Sequence, residues 1–439
     1  MTTLSPKATR RTRRFAEQRW LLDAVIETVG LQWDQGRIGY SEGPCGFLAQ
    51  PDFERVRSRV KKFDDIAREF AAAGLARIRR AEAAREAGHE VSQREHSFIA
   101  SILFSQAQWP IFENTEENRR LESLKNAAYA AYARVADHLV RQVELPWGER
   151  SLPGWLHLPP GASADRPVGC VISIGGMDSA KEMLVSLYGD PILERGLAVL
   201  AMDGPGQASC TLREIWVRPG DFPIAAAAAL DWLERQPEID RSRIAVRGIS
   251  MGSMWATQAA ARNDRIKACA VIYLCQEQGG PAIFGQASPT FKNRFMYMAG
   301  YDDEHEFDAA ARDLVTVEGL GELIHCPYLA IGGEDDELTA LEPTVALLDD
   351  ISAPKELMLL QGERHTLDKD LAGKSVNELT YVADWLSDCL AGRTPASVLT
   401  LVGQDGRIRR TPWSDRPPCH HGLPEVVLGD DLRVDGLGE

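Results

Sequence analysis

The sequence predicts an α/β protein in which a mainly parallel, doubly wound sheet follows an N-terminal helical domain. From about residue 141 onward, short apolar runs alternate with helix-prone stretches, a pattern typical of parallel strands connected by helices. Before that point, apolar residues recur three and four positions apart, as in Phe98, Ile99, Ile102 and Leu103, which indicates helices. A chain of 439 residues suits one large domain with an accessory one.

An opening hairpin and six later apolar runs account for eight predicted strands. The hairpin turns at Gly148-Glu149-Arg150, and each later run is followed by turn residues or a helix-prone stretch. The eight predicted strands are Gln142–Leu145, Leu152–Leu158, Gly169–Ile174, Ala198–Met202, Ile244–Arg247, Ala270–Leu274, Tyr328–Ile331 and Glu356–Leu360.

These patterns divide the chain into three parts. Residues 1–140 are the predicted helical domain, and residues 141–393 are the predicted α/β domain, with a lid-like insertion at about 276–320. Residues 394–439 form a C-terminal extension rich in Pro, Gly and Asp, in which Val398–Val402 and Val426–Leu428 are candidates for short strands.

The charge and composition of the chain disfavour several classes of binding partner and cofactor. The formal net charge of -15 disfavours nucleic acid and anionic membranes. The chain has no run of 18 apolar residues and no secretory h-region, and its eight cysteines include no CxxC pair, so we expect a cytoplasmic protein with reduced thiols. No metal-ligand cluster or nucleotide-binding loop is visible, so neither a metal nor another cofactor is expected.

The motif Gly248-Ile249-Ser250-Met251-Gly252 carries the chemistry. It follows a predicted strand and precedes a helix-prone run, the context in which G-x-S-x-G forms a nucleophile elbow. A sharp turn exposes the serine hydroxyl at a helix N-terminus, where the helix dipole favours developing negative charge. A chance five-residue match is the alternative, and the strand–helix context argues against it. We therefore predict that Ser250 is a nucleophile.

Two later residues complete a predicted triad. A nucleophilic serine needs a base, and in this arrangement the acid and then the histidine follow the serine along the chain. Asp336 follows one strand-like run and His365 follows the next, which places both at carboxyl ends of strands. Asp336 would orient the imidazole, and His365 would accept the serine proton. The adjacent Glu334, Asp335 and Glu337 are alternative acids, and a solvent-facing loop histidine is the alternative for His365.

The backbone donors of an oxyanion hole are predicted on two segments. Met251 would supply one N–H, and Gly176 or Met177, in the loop after the third strand, would supply the other. Ser179-Ala180-Lys181-Glu182 has the pattern of a capping box, so Ser179 is predicted to start a helix. Asp203-Gly204-Pro205-Gly206-Gln207 follows the fourth strand and is predicted to be a tight turn.

The segments GGMDSAKE at 175–182, DGPGQ at 203–207 and GISMG at 248–252, with Asp336 and His365, resemble a group of α/β hydrolases with an N-terminal helical cap. That group includes 2,6-dihydroxypseudooxynicotine hydrolase and the fungal hydrolases that shorten pigment polyketides. The resemblance implies an α/β-hydrolase catalytic domain at 141–393 with eight strands, preceded by a cap at 1–140. It covers about residues 90–392, and Ala208-Ser209-Cys210 departs from the group's pattern.

The resemblance also implies a reaction and further site residues. Members cleave a carbon–carbon bond next to a ketone, and their cap helix faces the substrate, which assigns Gln106 and Trp109 here to substrate binding. 2,6-Dihydroxypseudooxynicotine hydrolase also uses a glutamate in its pocket. Glu277 is the nearest counterpart here, although the local sequence around it departs from the family's pattern.

The expected function is therefore hydrolysis of a carbon–carbon bond in an acyl-aromatic or polyketide-like small molecule. The alternatives are a carboxylesterase or amidase, an acyltransferase, and a non-catalytic binding protein with a hydrolase fold, because one triad and one oxyanion hole serve several reactions. Helical caps often pair between subunits, so a homodimer is expected.

Overall fold

The computed structural model describes residues 12–279, 282–367 and 376–416. Its strands form one mixed sheet in the order β1-β2-β4-β3-β5-β6-β7-β8-β9-β10. The pairs β1/β2, β2/β4 and β9/β10 are antiparallel, and the other neighbours are parallel. The strands are β1 Leu139–Trp147, β2 Arg150–Leu158, β3 Val168–Ile174, β4 Ala198–Met202, β5 Ile239–Ile249, β6 Cys269–Ile272, β7 Tyr328–Gly333, β8 Lys355–Leu360, β9 Val398–Val402 and β10 Ile408–Pro412.

Across the described residues the sheet has ten strands, so the prediction of an eight-stranded sheet is wrong in number. The eight predicted strands are present as β1–β8, and two further strands come from the C-terminal extension. A tight turn with Gly406 at φ 78° joins them, and β9 pairs with β8 along its whole length. The extension thereby covers an edge that would otherwise leave backbone groups unpaired. The candidate strand Val426–Leu428 lies outside the described residues.

Helices cover both faces of the sheet. Along β3, Cys170, Ile172 and Ile174 belong to one buried apolar cluster, whereas Val171 belongs to another on the opposite face. Strands that are buried on both faces are typical of parallel sheets with helical connections. The helices of this part are α8 Pro191–Glu194, α9 Ala208–Leu212, α10 Asp221–Leu233, α11 Met251–Arg262, α12 Ala282–Gln286, α13 Pro289–Ala299, α14 Glu304–Leu314, α15 Glu342–Asp350 and α16 Glu378–Leu390.

A helical layer precedes the sheet, and it has its own aromatic-rich core. That core extends onto the rest of the molecule through Trp155 of β2, Met183 and Leu187 after β3, and Tyr297 of α13. The helices are α1 Arg13–Glu17, α2 Arg19–Val29, α3 Arg37–Glu42, α4 Gln50–Arg59, α5 Asp65–Glu86, α6 Glu90–Gln108 and α7 Glu116–Ala133. The predicted insertion at about 276–320 contains α12, α13 and α14. Within the described ranges, no helix combines the length and apolar character needed to cross a bilayer.

Candidate active site

A sharp turn between β5 and α11 carries Ser250. Its backbone has φ 56° and ψ -125°, a conformation that L-residues rarely adopt. A Cβ added at Gly248 would lie 2.2 Å from the carbonyl oxygen of Gly252. A Cβ at Gly252 would lie 2.5 Å from the carbonyl oxygens of Ile174 and Gly175. Both positions therefore require glycine, and together they allow a turn that places the partly exposed Ser250 directly before the first residue of α11.

The structure brings the three predicted triad side chains into one hydrogen-bonded series. Oγ of Ser250 lies 2.9 Å from Nε2 of His365, and Nδ1 of His365 lies 2.8 Å from Oδ2 of Asp336. The imidazole is buried, with 1% of its residue surface exposed. The other carboxylate oxygen of Asp336 accepts hydrogen bonds from the backbone of Leu338 and Thr339, at 2.8 and 3.1 Å. This arrangement fixes the orientation of the carboxylate toward the ring.

Two neighbouring carboxylates accept hydrogen bonds from backbone N–H groups instead of contacting the imidazole ring. Oε2 of Glu337 accepts from the backbone N–H of His365 at 3.0 Å, and Oε2 of Glu334 accepts from that of Gly362 at 3.3 Å. Among the alternatives left open by the sequence, the geometry therefore places Asp336 against the imidazole ring, while Glu337 holds the turn that carries it.

The loop after β3 lies against the serine. A Cβ added at Gly176 would lie 3.0 Å from Cβ of Ser250, so only a glycine lets this backbone approach so closely. Met251 occupies the first position of α11, where a backbone N–H has no partner within the helix. Backbone donors of the kind needed for an oxyanion hole thus flank Ser250 on both sides. The carbonyl oxygen of Met177 accepts from Nε of Arg294 at 3.4 Å.

Gln207 holds this loop, a role that sequence reasoning missed. Its Nε2 donates to the carbonyl oxygens of Gly175 and Gly176, at 2.7 and 3.2 Å. Its Oε1 accepts from the backbone N–H of Gly204 at 2.8 Å. The side chain is buried. The only sequence signal was the position of Gln207 at the end of the DGPGQ turn, which indicates a turn but does not indicate its partner.

The predicted capping box at Ser179 is wrong. Residues Lys181–Met183 form a short 3₁₀ turn whose cap residue is Ala180 and which has no side-chain cap. Instead, Nζ of Lys181 lies 2.7 Å from Glu182 and 3.2 Å from Asp203. Asp203 also accepts from the backbone N–H of Lys181 at 2.8 Å. Lys181 and Glu182 are buried charges, so ion pairing rather than helix capping decides the local structure.

The same buried charges link the sheet to the helical layer. Nζ of Lys125 in α7 lies 2.9 Å from Glu122 and 3.7 Å from Glu182. Burial opposes ionisation of Glu122, but the charges of Lys125 and Lys181 outweigh it, so the pKa of Glu122 is lowered. The cluster therefore stays ionised and fixes α7 against the loops after β3 and β4.

The two residues assigned to substrate binding, Gln106 in α6 and Trp109 directly after it, have different surroundings. The amide of Gln106 lies 3.4 Å from the sulfur of Met183. Trp109 lines a small cavity with Met177, Asp178 and Arg294, and its Nε1 is buried and has no hydrogen-bond partner among the described residues. The structure thus places Trp109 beside the loop that flanks Ser250.

Glu277 lies beyond the end of β6, in a segment packed against the nucleophile turn. The backbone N–H of Cys275 donates to Oγ of Ser253 at 2.8 Å, which anchors this segment to α11. Burial, which is the larger cause, and the charge of Asp336 together raise the pKa of Glu277 to about 7. Its Oε1 is buried and has no hydrogen-bond partner in the described part of the chain. The side chain is therefore partly protonated near neutral pH.

The sheet carries a serine on a strained turn after β5, a carboxylic acid after β7 and a histidine after β8. This arrangement defines the class of protein. The chain is an α/β hydrolase. Residues 65–277 match the family model for FrsA-like esterases, and residues 192–393 match the model for the prolyl oligopeptidase family.

Curated relatives share this class. The α/β hydrolase gkaG of Penicillium citrinum is 34% identical over 237 residues, covering 50% of this chain and 54% of the relative. The α/β hydrolase xenA of Xenoacremonium sinensis is 34% identical over 204 residues, covering 44% and 47%. The chain thus spans about half the length of the curated relatives that it matches. A solved structure of 2,6-dihydroxy-pseudo-oxynicotine hydrolase superposes with a TM-score of 0.71 at 23% identity, covering 82% of this chain and 98% of that one, which shows the fold alone.

Proposed function

We propose that this chain is a serine hydrolase that cleaves a carbon–carbon bond next to a ketone in an acyl-aromatic or polyketide-like metabolite. The observation that carries the proposal is the hydrogen-bonded series from Ser250 through His365 to Asp336. A buried imidazole that contacts a serine hydroxyl and is oriented by a carboxylate is the arrangement that activates a serine toward carbonyl carbon.

The proposed reaction begins with addition to the ketone. Oγ of Ser250 attacks the carbonyl carbon while Nε2 of His365 takes its proton, and the carbonyl oxygen becomes an oxyanion. The N–H of Met251 and that of Gly176 or Met177 stabilise this oxyanion. The carbon–carbon bond then breaks, and the leaving carbon keeps the electron pair and takes a proton from Glu277. The proton that His365 holds passes to the Glu277 carboxylate, which leaves an acyl-serine and a neutral imidazole. Water, deprotonated by His365, hydrolyses that ester to a carboxylic acid and free Ser250.

Glu277 favours the carbon–carbon reaction over ester hydrolysis. An alkoxide leaving group can take the proton that His365 already holds. A carbon leaving group is more basic and benefits from a second acid at the site. Glu277 has a pKa of about 7 because of its burial and the nearby Asp336, which suits it to donate a proton near neutral pH.

A carboxylesterase or amidase is the second candidate function. The match of residues 65–277 to FrsA-like esterases favours it, and the same serine and oxyanion donors would serve an ester carbonyl. An acyltransferase and a non-catalytic binding protein are further alternatives, and the experiment below separates the binding protein from the proposal.

The deciding experiment compares wild type with Ser250→Ala. Both proteins are incubated with p-nitrophenyl esters and with aryl ketones and β-diketones, and products are identified by mass. We expect ketone cleavage to an acid that is lost in Ser250→Ala. Ester turnover alone, also lost in the variant, would replace the carbon–carbon assignment with an esterase. Equal activity in both proteins would contradict the role of Ser250, and turnover of neither set would favour the binding protein.

A further inference from the structure

A cleft of about 490 Å³ opens beside the turns that carry Asp336 and His365. Arg364 and Thr366, on either side of the histidine, line it, as does Leu338 after the aspartate. The opposite wall comes from α2 and from residues 32–36, and a third side is formed by residues 286–291. A volume of roughly 300–1,000 Å³ is typical of small-molecule sites.

A buried ion-pair cluster fixes the N-terminal wall to the active site. Arg37 pairs with Asp34 and with Asp178, each at 2.9 Å. Asp178 belongs to the loop that flanks Ser250. The guanidinium of Arg37 also lies 3.8 Å from the ring centre of Trp109, and Trp33 packs edge-on against the same ring. These buried contacts connect the wall to the loop that flanks Ser250.

The lining indicates the kind of ligand. Its apolar residues come from three separate elements and include Leu22, Val25, Phe291 and Leu338. Its N-terminal wall adds three neutral amides, those of Gln18, Gln32 and Gln35. An amide both donates and accepts hydrogen bonds, so it matches carbonyl or hydroxyl oxygens on an otherwise apolar molecule.

The charged groups of the cleft are largely committed to the protein. Asp34 is paired with Arg37, and Glu337 accepts from the backbone of His365. Arg364 is exposed at the cleft. The interior thus offers apolar surface and neutral hydrogen-bonding groups, which disfavours a compact, highly charged ligand.

We propose that this cleft binds the part of the substrate that lies beyond the reacting carbonyl group. That part is an elongated, uncharged alkyl or aryl chain bearing carbonyl or hydroxyl oxygens, and residues 18–36 select for it. The inference rests on the proposed function, because the cleft serves catalysis only if Ser250 is the nucleophile. It assigns a specificity role to an N-terminal segment far from the triad in sequence.

Chain-length selectivity tests the proposal. Val25→Trp fills the cleft, whereas Val29→Trp is the matched control, since Val29 lies one turn later on α2, is 67% exposed and does not line the cleft. The probes are ethyl and octyl fluorophosphonates. Each labels an active serine when Oγ attacks phosphorus, fluoride leaves and the serine proton passes to the histidine. Labelling rates at Ser250 are followed by mass spectrometry on the full chain.

We expect the ratio of octyl to ethyl labelling to fall at least about tenfold in Val25→Trp, the effect of excluding roughly two methylene groups from an apolar site. Val29→Trp should keep the wild-type ratio. Val25→Lys is a second cleft variant in case the bulky substitution impairs folding, and its ratio should fall as well, because a charge in the cleft opposes binding of an apolar chain.

The outcomes separate the two proposals. If wild type is labelled but the ratio is the same in all four proteins, or falls equally in Val29→Trp, the cleft is not the selective site and the proposed function still stands. If neither probe labels Ser250 in the wild type, the nucleophile assignment itself fails, and the inference fails with it.

Discussion

Nδ1 of His365 lies 2.8 Å from Oδ2 of Asp336, while the backbone N–H of the same histidine donates to Glu337, the residue next to that aspartate. The two consecutive carboxylates thus have different partners: Asp336 contacts the imidazole ring of His365, and Glu337 contacts its main chain. The ring contact affects the protonation state of the imidazole, whereas the main-chain contact affects only the shape of the turn. Substitutions at the two positions should therefore differ in their effects.

Asp336→Asn should lower kcat by about 10⁴-fold with little change in KM. The amide removes the negative charge that stabilises the imidazolium, and it can favour the wrong tautomer of His365. Steady-state kinetics on any substrate that the wild type turns over measures this effect.

Glu337→Gln is the matched control for that substitution. Its side-chain oxygen can still accept from the backbone of His365, so we expect less than about a tenfold loss of kcat, within the range of a single neutral hydrogen bond. A larger loss in Glu337→Gln than in Asp336→Asn would reassign the acid of the triad.

Gln207→Glu should lower kcat by about 10²-fold, the effect of misplacing one oxyanion donor. A carboxylate cannot donate to the carbonyl oxygens of Gly175 and Gly176, and it repels them. The loop that lies against Ser250 would shift, so transition-state stabilisation is lost while substrate binding in the ground state changes less. Separate determination of kcat and KM checks this split.

Gln258→Glu is the control, because it removes a side-chain amide donor at a position away from the loop that lies against Ser250. Gln258 donates to the carbonyl oxygen of Thr316 at 3.0 Å, and we place it in no part of the catalytic site. It should leave kcat within about twofold of wild type, the range expected away from the site. If both variants lose kcat equally, the contact of Gln207 with the loop has no special role.

Local sequence patterns were sufficient to predict the strands and turns on which the candidate catalytic residues lie. The turn at Ser250 is recognisable because a strand, a glycine-flanked serine and a helix are contiguous in the chain. Asp336 was distinguishable from its acidic neighbours only by the fold, which alone determines the direction of each carboxylate. Sequence patterns also located β1–β8, since buried parallel strands appear as apolar runs.

The contacts that sequence reasoning missed are long-range or buried. Arg37 and Asp178 are 141 residues apart, and no local periodicity relates them. The capping prediction at Ser179 failed because that pattern assumes an exposed helix start, whereas Lys181 and Glu182 are buried next to Asp203. Strand β10 is mostly exposed and lacks an apolar run, so only its pairing with β9 defines it.

Gly248→Ala should destabilise the protein by about 1–3 kcal/mol, the usual cost of overpacking. The new Cβ would lie 2.2 Å from the carbonyl oxygen of Gly252 and 2.6 Å from Cβ of Ala256, so the turn at Ser250 must move. Urea unfolding measures the free energy, and labelling by the ethyl fluorophosphonate should fall in parallel.

Gly39→Ala provides the comparison for a glycine without close neighbours. Gly39 lies in α3, and a Cβ there would meet no atom of the described part of the chain within 4 Å. Alanine favours a helix over glycine by about 0.8–1 kcal/mol, so this variant should be as stable as wild type or more so. Equal destabilisation by both alanines would mean that packing at the elbow does not require Gly248.

Because of Glu277, the free energy of unfolding should decrease as pH rises from about 4.5 to about 7. Burial, together with the charge of Asp336, raises its pKa from 4.5 to about 7. In that window the folded state binds more protons than the unfolded state, so the free energy of unfolding decreases with increasing pH. Below 4.5 the group is protonated in both states, and above 7 the loss is complete. Glu277→Gln removes this contribution.

Urea unfolding of wild type and Glu277→Gln at several pH values measures the effect as a difference between the two proteins. The stability of Glu277→Gln relative to wild type should rise across the window and level off above pH 7.

In the proposed reaction the same proton leaves with the carbon fragment. Wild-type ketone cleavage should therefore decline above pH 7, whereas Glu277→Gln should be slow at every pH. A stability difference that is constant between pH 4.5 and 7 would contradict the raised pKa. Ketone cleavage unaffected by Glu277→Gln would remove Glu277 as the acid and leave the serine, histidine and aspartate as the catalytic groups.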